Sequence, residues 1–550
     1  MFVRSHLLNG IVLVAFGATG PCLAQEPLDR TDPTQAEEPQ TIPEEGEQSV
    51  GADDVRVGKP QAFPAAGQYD VGAIVLNGLS SMTPADFADI LSDFSARSLA
   101  AADLESLTDR IARRARDRGF LFASAMLAPQ ALSAGVLRVR IDEGVIDEIR
   151  VTGDADRAVI AQLEPLRDGR PVTVERLERQ LLLADDISGV RLRSPRYERQ
   201  GDRGVLVLQA LRSDYSGRAE LSNDGSKPIG PLRARIDFDA NGLISAFDEV
   251  DLTFSTVPTD PSELVSVAGR YAMVVSPHGT EVSLSGSYSA TRPGAYLEDR
   301  DIFGESTRLS ARVRHPLERS RAFSLWVDGE FEFRDLRQDR FDLRARHDRI
   351  SILRAGLYTR AAMLEGSLRG GLTVSQGLDI LGATQTGDPL ASRGDASPDF
   401  TVLSGWFGWE RGLSRYFSMA LAGRGQVSTT PLLITEDLGL GGNSFLRGYN
   451  FSERSGDYGA MGSVELRYDW DAPLDVLSRA QLYAFADAGA VGNLKDGRGG
   501  GSLASGGAGA RVELTRDIDF DIQVGVPLTG PRYDTDDRSP RIIGGLALSL

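Results

Sequence analysis

Residues 438–468 read LGLGGNSFLRGYNFSERSGDYGAMGSVELRY, and the stretch has two halves of opposite character. Leu438 to Gly456 is rich in Gly, Asn and Ser and carries Phe445, Leu446 and Tyr449 without periodicity, with Arg447 in their midst. Loops of this length are usually functional or disordered, and apolar side chains beside a lone arginine point to a loop that packs somewhere. The second half alternates. Val464, Leu466 and Tyr468 fall on one side and Ser463, Glu465, Arg467 and Asp469 on the other, the period-2 pattern of a strand with one apolar and one polar face. A packed loop that feeds such a strand suggests a barrel with a wet inside and an apolar outside.

The segment GGNSFLRGY followed by GDYGAMGSVELRY resembles the sixth-loop region of the Omp85 superfamily, whose signature is an [VL]-R-G-[FY] tetrapeptide, here Leu446, Arg447, Gly448 and Tyr449. A second element agrees: Phe485, Asp487 and Gly489 match the F-x-D-x-G strand motif of the same superfamily. Either motif is short; together, in this order near the C-terminus, they form a specific signal.

Working outward, the chain shows alternation from Tyr215 to its end. Sixteen alternating segments begin near residues 215, 232, 248, 263, 280, 304, 321, 347, 363, 399, 417, 458, 479, 505, 518 and 541. In one of them Phe323, Leu325, Val327, Phe331 and Phe333 oppose Ser324, Trp326, Asp328, Glu330, Glu332 and Arg334. A soluble sandwich also alternates. The even strand number, the polar faces crowded with charges of both signs, and an N-terminal address favour a membrane barrel with a water-filled lumen. The final strand ends in Leu550, where outer-membrane barrels usually end in an aromatic residue.

Upstream, residues 69–144 read as strand, two helices and two strands, and residues 145–214 repeat that order. Two adjacent copies of one α+β unit, each about 70 residues, are an internal repeat. The unit resembles the POTRA domain. Pro129, Gln130, Leu132, Gly135, Leu137, Val139, Ile141, Glu143 and Gly144 follow the spacing seen in the first POTRA of the TpsB transporters, the outer-membrane half of two-partner secretion. The alternative reading is that Pro129, Gly135 and Gly144 merely punctuate a hairpin.

Residues 25–68 hold Glu, Asp, Gln and Pro with little apolar content and read as a disordered acidic tether. In the TpsB transporters an N-terminal helix often plugs the barrel; prolines at 27, 33, 39 and 43 oppose one here. At the N-terminus, Arg4 and His6 precede a largely apolar run from Leu7 to Phe16, and Cys22-Leu23-Ala24 fits a cleavage site, so residues 1–24 read as a signal peptide. A lipoprotein role for Cys22, the only cysteine, meets a poor lipobox in Thr19-Gly20-Pro21.

The net charge of −18 argues against nucleic acid as a partner. No apolar run after the N-terminus reaches the length of a transmembrane helix, which leaves a membrane barrel open. Histidines 6, 278, 315 and 347 are scattered, and there is no P-loop, nucleophile elbow or HExxH, so no cofactor, metal or enzymatic centre is expected.

The resulting expectation is a transmembrane β-barrel of 16 antiparallel strands (residues 215–550, with loop 429–457 folded inward) preceded by two periplasmic α+β POTRA domains. As the resemblance implies, it would receive an unfolded, TpsA-like secreted protein in the periplasm and export it, with outer-membrane lipid and the barrel-assembly machinery as further partners. The rivals are an Omp85 assembly factor, which usually has three or more POTRAs, and a passive porin or adhesin. Inside the barrel Arg447 would need an acceptor: Asp487 by strand alternation, or Glu465 on the preceding strand.

Overall fold

The computed structural model describes residues 50–57, 68–127, 130, 135–470, 477, 479–495 and 497–550. The signal-peptide reading, and residues 25–49 and 58–67 of the tether with any plug helix, lie outside the described residues.

In the first α+β unit the strand Ala73–Asn77 runs parallel to Val136–Asp142, which pairs on its other side with Ser124–Met126. Helices α1 (Ala88–Phe94) and α2 (Ala101–Asp117) cover one face, and Leu104, Leu107 and Ile111 of α2 are buried at helical spacing. The second unit repeats the order, with Glu148–Gly153 parallel to Arg203–Arg212, which pairs with Val190–Gln200. Its helices are α3 (Asp156–Leu163) and α4 (Val174–Asp185); the Thr173 hydroxyl accepts from the Arg176 amide and caps α4.

Three details depart from the sequence reading. A short strand, Arg97–Ala100, lies between α1 and α2 and pairs with Gln68–Val71. The first of the two closing strands is only Ser124–Met126, although alternation in the sequence begins near Leu121, because Phe122 turns away to stack on Tyr197 of the second unit, with ring centroids 4.0 Å apart. The end of the tether is also ordered: Ala52–Asp54 forms one 3-10 turn, and Arg56–Val57 adds a parallel strand beside Arg196 and Tyr197. Ala52 and Val55 are buried in the second unit's core with Val50 against them, so a few small apolar residues seat an otherwise polar segment.

The rest is a closed antiparallel barrel. Its strands are β1 (Tyr215–Ser222), β2 (Arg233–Asn241), β3 (Asp248–Thr256), β4 (Leu264–Val274), β5 (Glu281–Thr291), β6 (Ile302–Arg319), β7 (Phe323–Arg340) and β8 (Leu343–Met363). There follow β9 (Gly366–Gly377), β10 (Thr401–Gly412), β11 (Phe417–Ser428), β12 (Tyr458–Trp470), β13 (Arg479–Gly492), β14 (Gly501–Glu513), β15 (Ile518–Pro527) and β16 (Arg541–Ser549). Sixteen strands were expected, and each begins within four residues of its expected start. The barrel closes where β1 meets β16 over five residue pairs, Arg218–Ser222 against Ser549–Gly545, fewer than the eight of β1 with β2.

Alternation sorts the two faces. Phe238, Leu252, Leu284, Leu309, Leu353, Phe407, Leu466 and Leu482 are exposed around the outside, whereas Glu330, Glu332, Arg369, Glu465 and Asp487 are buried inward. Such a continuous apolar exterior has no place in water; it is the surface a membrane barrel offers to lipid. Inside, charges are matched in pairs: Arg308 donates to Glu332 at 2.8 Å and Arg312 Nε to Glu330 at 2.9 Å.

The second α+β unit is fixed to one end of the barrel. Gln162 donates to the Pro277 carbonyl at 2.8 Å, Arg179 to that of Pro316 at 2.8 Å and Arg212 to that of Ala246 at 3.3 Å. Arg319 pairs with Asp186 at 2.6 Å, and the Arg321 amide donates to Glu178 at 2.8 Å. Both ends of the barrel sequence, Tyr215 and Ser549, lie on this side.

Candidate functional site: an inward loop latched to the barrel wall

Between β11 and β12, residues 429–457 return into the lumen and cross it. Its own short hairpin, Leu438–Leu440 with Arg454–Gly456, stiffens the base. Leu438, Leu440, Phe445, Leu446 and Tyr449 form a core with Met461, Val491 and Leu503 of the barrel. The apolar residues that made the loop unlike a disordered one thus supply its docking surface. Tyr449 is fully buried, and its hydroxyl lies 3.0 Å from the Thr529 hydroxyl and donates to the Gly530 carbonyl at 3.0 Å.

At the tip, Arg447 is 4 % exposed. Its Nε and Nη2 donate to Asp487 at 3.1 and 2.9 Å, its Nη1 to Glu465 at 2.7 Å, and Nη2 also to Ser463 at 2.9 Å. The Arg447 amide adds a bond to Asp487 at 3.0 Å, and the guanidinium lies 3.5 Å from the centre of the Phe485 ring. The two acceptors held as alternatives are both engaged, because β12 and β13 are neighbours and Ser463 stands opposite Asp487 in register. A planar fork spans two carboxylates on one wall in a way a point charge does not.

Gly448 lies against the wall: a Cβ there would sit 2.9 Å from the Pro527 nitrogen and 3.0 Å from the Ser505 Cβ. Any side chain would lift the tip from β14 and β15. At Gly489 a Cβ would come within 3.0 Å of Leu440, so the motif's last residue leaves room for the loop's base. All eight barrel residues singled out from the sequence, from Leu446 to Gly489 with Glu465, therefore meet in one place.

The signature in the first α+β unit is elsewhere and works differently. Pro129 and Leu132 lie outside the described residues. Gln130 donates to the Arg138 carbonyl at 2.7 Å and accepts its amide at 2.9 Å, as a strand residue would. Gly135 accepts the Gly72 amide at 2.7 Å, and Leu137 is buried in the core. Glu143, 2 % exposed, receives the amides of Ser80, Ser81 and Met82 at 3.1, 2.8 and 2.9 Å and the Ser80 hydroxyl at 2.6 Å. Burial pushes its carboxyl up, but those donors outweigh burial and hold it below the usual carboxylate range. Gly144 has φ +88, and a Cβ there would meet that of Phe122 at 2.5 Å.

Sequence reasoning missed further anchors of the loop. Fully buried Asp457 accepts the Leu432 and Leu494 amides, both at 2.7 Å, and pairs with Arg393 at 2.8 Å, joining three loops at one carboxylate. Glu436 pairs with Arg354 across the lumen at 3.2 Å. Arg541 grips the loop from β16. The only sequence signal was a charge at each position, which a lumen strand or polar loop carries anyway. Between the tip and the walls a cavity of about 1070 Å³ remains, lined by charges of both signs, among them Arg218, Glu220, Arg467 and Asp521. Among the described residues no cluster of His, Cys, Asp or Glu is arranged to hold a metal ion.

The profile of the haemolysin secretion/activation proteins ShlB/FhaC/HecB matches residues 205–512, more than half of the chain. The chain belongs to this family. The ShlB-type POTRA profile matches residues 69–144, the first α+β unit. The heme/hemopexin transporter protein HuxB of Haemophilus influenzae (strain 86-028NP) is 22% identical over 398 residues, covering 70% of this chain and 69% of its own. The outer membrane transporter CdiB of Dickeya dadantii is 24% identical over 442 residues, covering 76% and 75%. Among solved structures, CdiB from Escherichia coli superimposes with a TM-score of 0.71 at 19% identity, covering 92% of this chain and 94% of that one. CdiB from Acinetobacter baumannii gives 0.61 at 17% identity, covering 94% and 95%.

Members of the family are transporters. This chain is accordingly an outer-membrane β-barrel of two-partner secretion that exports a secreted partner protein, with its POTRA units in the periplasm.

Proposed function

We propose that the inward loop is the resting closure of the export path and that Arg447, Asp487 and Glu465 are its latch. The observation that carries this reading is the buried fork of Arg447 on both carboxylates, at the tip of a loop lying across the lumen. An unfolded, TpsA-like partner binds to POTRA strand edges by backbone pairing, which tolerates any side-chain sequence. It then enters a lumen whose matched charges offer hydrogen bonds to a hydrated backbone without favouring one sign. As the resemblance to the TpsB transporters implies, folding of the partner outside the cell supplies the direction.

The domain assignment belongs to the same reading: a signal peptide at 1–24, an acidic tether at 25–68 whose residues 50–57 pack on the second unit, POTRA units at 69–144 and 145–214, and the barrel from 215. Outer-membrane lipid surrounds the exposed apolar belt, and the barrel-assembly machinery inserts the barrel. No catalytic step is part of this function.

The test is deletion of residues 69–144 in cells that co-express the secreted partner. Export should stop while a heat-modifiable, ion-conducting barrel remains, since the barrel strands use none of those residues. Normal export after the deletion would refute the receptor role.

A further inference from the structure

Arg541 opens β16 and is 7 % exposed, yet no carboxylate lies within ion-pair distance of it among the described residues. A buried guanidinium is costly unless its donors are taken. Here neutral oxygens take them. Nη1 donates to the Tyr449 carbonyl at 3.0 Å, to Asn443 Oδ1 at 3.3 Å and to the Gly442 carbonyl at 3.5 Å, and Nη2 to the Asp224 carbonyl at 2.5 Å.

Gly442 and Tyr449 are the two sides of the neck from which the tip carrying Arg447 projects, and the Gly442 amide donates to the Tyr449 carbonyl at 3.3 Å. Arg541 therefore staples the neck and reads backbone positions that coincide only when the tip is folded. Asp224 belongs to the loop after β1, and its carboxylate accepts from Asn443 at 2.6 Å. Beside it, Asn223 holds β16: its amide group donates to the Ile542 carbonyl at 3.1 Å and its oxygen accepts the Gly544 amide at 2.6 Å. The loop neck and the outer end of the five-pair closing seam thus share one hydrogen-bonded cluster.

We propose that Arg541 is a second latch, a positioning residue that holds the loop neck and couples the seated loop to the β1–β16 seam. The first latch binds the tip to β12 and β13 through charge; the second binds the neck to β16 through backbone carbonyls. Loosening the seam should therefore loosen the loop. This inference rests on the loop being the closure of the barrel.

The test is a Cys22→Ser chain carrying Asp224→Cys and Asn443→Cys, which leave the Tyr449, Gly442 and Asp224 carbonyls available to Arg541. Oxidative cross-linking is followed in outer membranes, scoring only the heat-modifiable, folded band. Arg541→Gln should slow cross-linking about tenfold, the worth of a charge-assisted bond, and raise the frequency of channel openings in planar bilayers. Arg541→Lys, which keeps the charge but not the fork, should fall between. Asn223→Ala, which removes contacts with β16 but no contact with the neck itself, should also slow the reaction. Arg516→Gln, in an exposed periplasmic turn, should not. An unchanged rate in Arg541→Gln overturns the latch, and an unchanged rate in Asn223→Ala overturns the coupling to the seam. Cross-linking reports where the loop sits and not what is exported. A variant that loses the cross-link yet exports normally with unaltered conductance would instead refute the loop as closure.

Discussion

Replacing Arg447 with alanine removes three donors from two buried carboxylates, but the two are not left equal. Glu465 keeps Arg467 at 2.7 Å and Arg511 at 2.8 Å. Asp487, 3 % exposed, keeps only the residue-447 amide and the Ser505 hydroxyl at 3.2 Å. The cost therefore falls on Asp487. Surface ion pairs are worth about 0–1 kcal/mol, whereas breaking a buried one costs roughly 3–5 kcal/mol. With both partners under 5 % exposed, this pair belongs near the second figure. At about 1.4 kcal/mol per tenfold, the seated loop should lose a factor of roughly 100 to several thousand against unseated states.

Arg447→Ala and Asp487→Ala should each sharply reduce export of the secreted partner while the barrel still assembles, and Arg447→Lys should be impaired although charge is kept. Because Asp487 has no other ionic partner among the described residues, the double variant should be little worse than either single. Glu465→Ala should be milder in its effect on Asp487 but should leave Arg467 to Glu410 and Arg511 to Gln481, adding net positive charge to the lumen, so its conductance should change more than its loop docking. Partner export by immunoblot, with barrel folding checked by heat-modifiability, reads the two Arg447 variants, Asp487→Ala and the double variant. Strictly additive losses in the Arg447/Asp487 pair would refute the reasoning, since they would mean that the two residues act independently.

Three further outcomes can be measured separately. Glu143 has its folded pKa lowered, so its contribution is complete above the ordinary carboxylate range near pH 4.3 and is lost as pH falls through the lowered value. Hydrogen exchange at Ser80–Met82 should therefore be flat from pH 7 to about 5 after correction for intrinsic rates and rise in more acid solution, and Glu143→Ala, orphaning three amides at about 1–3 kcal/mol each, should raise it at every pH. Val139 sits mid-strand opposite Leu76 and is fully buried, whereas Val136 starts the strand opposite Ala73; both proline variants should reduce export, Val139→Pro more than Val136→Pro, as read by the same immunoblot. An epitope after Leu550 should be protected in intact cells and one at Gly387 accessible, since nothing lies within 4 Å of a Cβ at Gly387, while Gly497 packs against Arg393 and tolerates insertion poorly.

What the sequence made legible follows from range. Strand alternation is local, so β1 to β16 can be read directly, and the tip residues are marked by a short motif. The repeat of the α+β unit is legible because each helix carries its own period. What could not be read is pairing across distance: Asp457 meets Arg393 from 64 residues away and Arg541 meets Tyr449 from 92. Arg97–Ala100 and Arg56–Val57 are too short to show a period and exist only because an edge was free to receive them. Glu465 and Asp487 looked like competitors because one-dimensional alternation assigns both to the lumen without saying that they are adjacent.

The contacts of the second POTRA unit with three successive barrel turns have a mechanical consequence. A receptor joined at Ala246, Pro277 and Arg319–Arg321 cannot swing like an arm, and the stack of Phe122 on Tyr197 extends that stiffness to the first unit. The span from a POTRA edge to the lumen mouth is then a fixed ruler. A partner segment shorter than that span could bind without ever reaching the pore, so progressive truncation should expose a threshold length for export, with binding unaffected on either side of it.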